Sequence, residues 1–468
     1  MTAGVPAPGR GSYDTLILGA GMSGLAAGIR LAHFGRRVCV LERHTTIGGL
    51  NSVYRLRGRN FDSGLHAVTN FACCGDKRGP LAKLLRQLRL SWDDFALAPQ
   101  RGSSIVFPNV RLEFNNDLDL LRAEIARAFP DQVDRFEQLL GRLADYEHLG
   151  QPEMQVASRA VLGETLSDPL LIEMLLCPVL FYGGSRPHDM PFGQFSVLFR
   201  SIFLEGLGRP AAGIRPILAA LARGYKTRGG ELRLRAGVRQ IVTDGRRAVG
   251  VVLDDGTELA AENVLSSIGH RETMRLCGDP CEELPPAGRI SFVESIAVLD
   301  RPASELDLDR AVVFYNDAPR FDFDRPEELT DRRSGVVCVP DAYEGAVPPF
   351  PAVRLTALAN YDRWAALDPA AYRQAKIEQY DAMTASALRF VPDFRPATVD
   401  VDTFTPTTIE RFTGHEQGAV YGGPEKRYDG TTRLENLFLC GTDQGLVGII
   451  GAILSGITMA NAHLLRNG

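Results

Sequence analysis

The chain has 468 residues, 45% of them apolar and 23% charged, an ordinary balance for a globular protein long enough to bury a sizeable core. A net charge of −5, with no block of five or more lysines and arginines, excludes a basic surface for nucleic acid. The 8 cysteines contain no CxxC pair, and Cys277 with Cys281 lack a matching Cys/His pair, so no metal site is expected and a reducing cytoplasm is.

The opening MTAGVPAPGRGSYD lacks the apolar core of a secretory signal and reads as a disordered lead-in. Chemistry starts immediately after it. Thr15 to Leu18 form an apolar, β-branched run, the mark of a buried strand. Gly19, Gly21 and Gly24 follow as G-x-G-x-x-G. Leu25, Ile29 and Ala32 then share a helical face, and Gly35 stands where the helix should stop. A second strand, Val38 to Leu41, ends in Glu42. One glycine permits the tight turn, another lets the backbone approach a pyrophosphate, and the third lets helix and strand pack closely. The helix N-terminus, opened by Met22 and Ser23, presents N–H groups to phosphate, and Glu42 is placed to accept from ribose hydroxyls with Arg43 beside it.

Glu42 would serve NAD or FAD. The continuation favours FAD: Gly48-Gly49 gives a second close backbone approach farther along a longer cofactor, followed by Leu50 and then by NFDSGLHAV with Gly64, Leu65 and His66. Farther on, 111–205 is helical in pattern, as in DLDLLRAEIARAFPDQVDRFEQLLGRLADY. Phe192, Phe195, Phe199 and Phe203 form an aromatic stripe on one helix face. It is read either as core or as a greasy wall toward an apolar substrate or a membrane, with Phe199 and Phe203 as candidate substrate contacts. IRPILAALARGYKTRGGEL is an amphipathic helix. GVRQIVTDGRRAVGVVLDDGTELAAENVLSSIG is a strand meander turning at Asp244-Gly245 and Asp255-Gly256.

No nucleophile elbow and no H-E-x-x-H spacing appears, which fits chemistry done by a cofactor. The polar candidate is His66, as acid/base, weighed against a structural histidine. Tyr421, in the loop-rich GHEQGAVYGGPEKRYDG, is a candidate substrate contact. The tail, GTDQGLVGIIGAILSGITMANAHLL, carries no formal charge from Gly445 to Leu465, yet Gly448, Gly451 and Gly456 with Ser455, Thr458, Asn461 and His463 argue against a membrane span. It reads as a strand, a turn at Gly441 and Asp443, and a glycine-dotted helix from Gly448 through Ile449 and Ile450.

The glycine motif, Glu42, Gly48-Gly49 and FDSGLH resemble the flavin amine oxidase-like superfamily, most closely its carotenoid (phytoene) desaturase, carotenoid isomerase and retinol saturase group. The resemblance implies an α/β fold: a Rossmann-like FAD-binding domain (1–110, 206–287, 401–468) interrupted by an α+β substrate domain (111–205, 288–400). It also implies bound FAD, a long apolar isoprenoid substrate, and hydride exchange with flavin N5. By the same resemblance Val238 would recognise adenine through its backbone. The FDSGLH loop would lie against the flavin, Asp443 would bond the ribityl chain, and the tail helix would point its dipole at the flavin pyrimidine. Leu50 stands where bacterial phytoene desaturases usually carry Arg, and Leu65-His66 replaces their usual proline; GLH looks nearer to the isomerase and saturase side. An amine-oxidising flavoenzyme and a non-catalytic flavoprotein are the alternatives. The expected setting is the cytoplasm, with peripheral contact to the inner membrane face left open, as is oligomeric state.

Overall fold

The computed structural model describes residues 12–144, 155–345 and 347–465. Residues 1–11 of the lead-in and Arg466 lie outside them, as does the end of the helical stretch at Tyr146, while Tyr13 and Asp14, read as lead-in, open the first strand.

Two seven-stranded sheets organise the chain. In the first, Tyr13–Leu18 runs parallel to Val38–Leu41 on one side and to Glu258–Ser266 on the other. Glu231–Arg233 adds a parallel strand beyond Val38–Leu41, and Leu437–Leu439 pairs parallel with the end of Glu258–Ser266. Every residue of Val38–Leu41 is buried, as expected for strands covered on both faces. The meander forms as read: Val238–Asp244, Arg247–Leu253 and Glu258–Ser266 are antiparallel neighbours, with Gly245 and Gly256 at positive φ in the turns.

The helix Met22–His33 crosses between the first two strands, and Gly35 follows its end at φ 74°. The tail helix Gly448–Met459 packs against it so closely that a Cβ on Gly456 would lie 2.0 Å from the Ser23 carbonyl oxygen. This close packing accounts for the uncharged, glycine-dotted tail. No helix among the described residues is long and apolar enough to cross a membrane.

The second sheet runs, in order, Thr398–Phe404, Ser291–Leu299, Ala352–Ala359, Ser334–Cys338, Val312–Asn316, Ser103–Phe107 and Val110–Phe114. Ser103–Phe107 falls within the interval assigned from sequence to the cofactor domain, 1–110. It pairs with Val312–Asn316 on one side and Val110–Phe114 on the other, so the second sheet begins several residues earlier than that boundary. Helices between Leu118 and Phe199 cover this sheet. Phe192, Phe195, Phe199 and Phe203 are at most 1% exposed and stack on one another, on Phe136 and on Phe114. The stripe is therefore core, not a surface that dips into a membrane.

Candidate active site

A single cavity of about 750 Å³ runs along the junction of the two sheets, within the size range of small-molecule and cofactor sites. One end is built by the first strand-turn-helix. Gly19 takes φ 94°, and its N–H donates to the Leu41 carbonyl. A Cβ on Gly21 would meet no protein atom within 4 Å, so bare backbone faces the cavity. Gly24 serves packing instead: a Cβ there would sit 2.0 Å from the Gly19 carbonyl oxygen. The helix that begins at Met22 has no side-chain cap and no acid in its first turn, leaving its N–H groups for an anion. Met22 and Ser23 line the cavity.

Glu42 is 7% exposed and lines the same end. Its Oε2 accepts from the Ala20 N–H (2.9 Å) and its Oε1 from the His44 N–H (2.9 Å). Two bonds leave a carboxylate with acceptor capacity for ribose hydroxyls. Arg43 lines the cavity too, while its Nη2 donates to the Arg411 carbonyl (2.9 Å). Val238 lines this end together with Ala236 and Gly237. Gly48 bridges to Gly21 in parallel register, and Gly49 and Leu50 follow along the wall.

A second uncapped helix N-terminus meets the cavity at Gly448 and Ile449, again with no acid in its first turn. Gly441 and Thr442 precede it on the wall. Asp443 is placed differently from expectation. Its Oδ2 accepts from the His270 N–H (2.6 Å) and its Oδ1 from the Gly423 N–H (2.7 Å), with Lys426 Nζ 3.8 Å away. Asp443 is 4% exposed and ties its own segment to those of His270 and Gly423, while Thr442 lines the wall. Ile450 (0% exposed) also points into the core, as does Leu65, whose carbonyl accepts from Arg209. Phe199 and Phe203 do not reach the cavity.

The other half of the cavity is aromatic. Phe181, Tyr182, Phe292, Val336, Val420 and Tyr421 form its wall. Phe314, Phe321 and Phe323 back Phe181. Tyr421 donates to the Phe181 carbonyl (2.6 Å), and burial pushes its hydroxyl far above the usual range. The Tyr182 hydroxyl has no protein partner among the described residues.

His66 lies between the two halves, at 19% side-chain exposure. Its Nε2 is 2.8 Å from Glu294 Oε2 and 3.2 Å from Thr356 Oγ1. Glu294 also pairs with Arg354. Burial opposes the charge of Glu294, but Arg354 and His66 outweigh it and hold the carboxyl below its usual range. Arg354 donates to the carbonyls of Asp62 (3.0 Å) and Ser63 (2.6 Å). Arg209 donates to the carbonyls of Leu65 and His66 and to Asp62. Glu294, Arg354 and Thr356 are absent from the sequence reading. The strand register brings them together: Glu294 pairs with Thr356, and Arg354 lies two residues along. A charged residue inside the apolar runs SFVESIAVL and AVRLTALA is the signal that marks them.

Two uncapped helix N-termini, two bare glycine turns and a ribose-facing carboxylate on one elongated cavity fit a flavin dinucleotide. The family model for flavin containing amine oxidoreductase matches residues 22–464. Among curated relatives, chloroplastic prolycopene isomerase of Arabidopsis thaliana is 23% identical over 57% of this chain and 49% of its own length. The hydroxyneurosporene desaturase of Cereibacter sphaeroides is 28% identical over 96% of this chain and 97% of its own. The chain thus spans about half the length of the prolycopene isomerases it matches. In fold, an oxidoreductase from Methanosarcina mazei superposes with a TM-score of 0.65 at 17% identity, covering 96% of this chain and 99% of that one. The chain belongs to the flavin-containing amine oxidoreductase family, is similar to its carotenoid desaturases and isomerases, and has a cavity that fits FAD.

Proposed function

We propose that the protein is an FAD-dependent oxidoreductase acting on carbon–carbon bonds of a long apolar isoprenoid of carotenoid type, by desaturation, isomerisation or saturation. The observation that carries this reading is the aromatic half of the cavity. Its wall of Phe181, Tyr182, Phe292, Val336, Val420 and Tyr421 suits a hydrocarbon chain. Its carboxylate, Glu294, is committed to Arg354 and His66. The names of the relatives, a hydroxyneurosporene desaturase and a prolycopene isomerase, point the same way.

When bound, FAD supplies a hydride acceptor or donor at N5. The chain's own residues do the rest. The N-terminal helix and glycine turn hold the pyrophosphate, and Glu42 holds the ribose. The backbone at Val238 is assigned to adenine. The N-terminus at Gly448 faces negative charge near the ring. The aromatic wall excludes water, and His66 offers a proton site at the boundary between the polar and apolar halves.

The test is anaerobic. Purified flavin-loaded protein is mixed separately with acyclic polyenes in liposomes and with aliphatic amines, and flavin absorbance is followed. Bleaching by a polyene, or flavin-dependent conversion of one, supports the reading. Bleaching by amines with no polyene consumed overturns it in favour of amine oxidation.

A further inference from the structure

His66 is fixed by more contacts than a structural histidine needs. Nε2 is 2.8 Å from Glu294 Oε2, and an ionised carboxylate can only accept. Nε2 therefore carries the hydrogen. In the neutral ring Nδ1 is then the basic nitrogen, and no hydrogen bond to it occurs among the described residues. Glu294 is itself held: it is 4% exposed, paired with Arg354, and central in Ser291–Leu299, a strand buried throughout. Arg354 and Arg209 pin the carbonyls from Asp62 to His66, so the loop bearing the ring is fixed at both ends of the contact.

We propose that Glu294 is a positioning residue that locks His66 in the Nε2–H tautomer, making His66 Nδ1 the proton-handling atom of the reaction. The proposal rests on the polyene reading. In a desaturation two C–H bonds break. One hydrogen leaves as hydride to the flavin, which is reduced. The other leaves as a proton to Nδ1, and its electron pair forms the new C=C bond. Saturation is the reverse, with the protonated ring returning the proton. The arrangement is the orienter–base logic of hydrolytic triads with the nucleophile absent.

The experiment uses flavin-loaded protein labelled with 15N-histidine. His66 is assigned among the 8 histidines by H66Q, and its tautomer is read from the ring nitrogen shifts. The wild type should show Nε2–H. E294Q should lose that preference and lower kcat on the polyene by about a hundredfold, in the range general acid–base catalysis contributes, with KM changed less than about twofold. T356V, which keeps the carboxylate, should retain the tautomer. An Nδ1–H tautomer in the wild type overturns the proposal, as does E294Q with unchanged tautomer and kcat. The wild-type spectrum decides alone if E294Q does not fold. Because it needs no turnover, it also separates failure of the dyad from failure of the substrate assignment.

Discussion

The contact between the tail helix and the first helix invites a single added methyl group. In Gly456→Ala the new Cβ would sit 2.0 Å from the Ser23 carbonyl oxygen, 2.9 Å from its carbon and 3.1 Å from the Ala27 nitrogen. All three are backbone atoms of a buried helix, so no side chain can swing aside, and the helices must separate by about 1 Å. Overpacking of this kind costs about 1–3 kcal/mol, and the better helix propensity of Ala returns at most about 1 kcal/mol. The strain reaches the cavity directly. Ser23 and Gly448 both line it, and Ser455, next to the substitution, accepts the Gly441 N–H at 2.8 Å. A net cost of about 1–2 kcal/mol lowers the folded-to-unfolded ratio by roughly 5- to 30-fold, and the displacement of Ser23 and Gly448 weakens flavin binding in addition. Fluorescence titration of the apoprotein with FAD measures it, alongside thermal unfolding. Gly141→Ala, in Val133–Ala144 where a Cβ meets nothing within 4 Å, is the control and should stabilise by about 0.5–1 kcal/mol. Wild-type FAD affinity and unchanged melting in Gly456→Ala would refute the reasoning.

Glu42→Ala should raise the dissociation constant for FAD by at least about tenfold, since it removes a buried acceptor of two backbone N–H groups as well as the ribose contact; titration of the apoprotein would show it. Phe199→Ala should cost about 3–5 kcal/mol of stability while leaving the substrate KM unchanged; the opposite pattern would return Phe199 to the substrate wall. Lys426 carries a pH signature. Burial pulls its ammonium from 10.5 down to about 8, against the opposing pull of Asp443. Above about pH 8 the folded protein sheds a proton that the unfolded chain keeps until near pH 10.5, so stability rises with pH across that window, by up to roughly 3 kcal/mol. Buried cysteines and tyrosines whose thiols and hydroxyls are pushed up by burial act in the opposite sense over the same window, so the rise is read as the difference between wild type and Lys426→Met in denaturant unfolding at its two ends, where their contributions cancel.

The parts legible in the sequence are those whose physics is local. The glycine turn, the meander turns at Gly245 and Gly256 and the strand before Gly441 each carry their signal within a few residues, and all take the expected form. The site's chemistry was less legible because it is made by register. Glu294 and His66 are 228 residues apart and meet only because Ser291–Leu299, an interior strand of the second sheet, packs against the FDSGLH loop. Helical periodicity shows that the stripe from Phe192 to Phe203 faces something apolar, but a protein core and a substrate look alike to it. The resemblance assigned Asp443 to the ribityl chain, whereas its side chain is buried between the His270 and Gly423 segments and the neighbouring Thr442 lines the cavity.

The central claim is that the aromatic half of the cavity presents a polyene to FAD. Mass and isomer analysis of an acyclic polyene incubated in liposomes with flavin-loaded protein tests it most directly. The account predicts a product altered in hydrogen count or double-bond geometry, formed with FAD present and absent without it. A polyene recovered unchanged under both oxidised and reduced flavin, while amines are consumed, would contradict it.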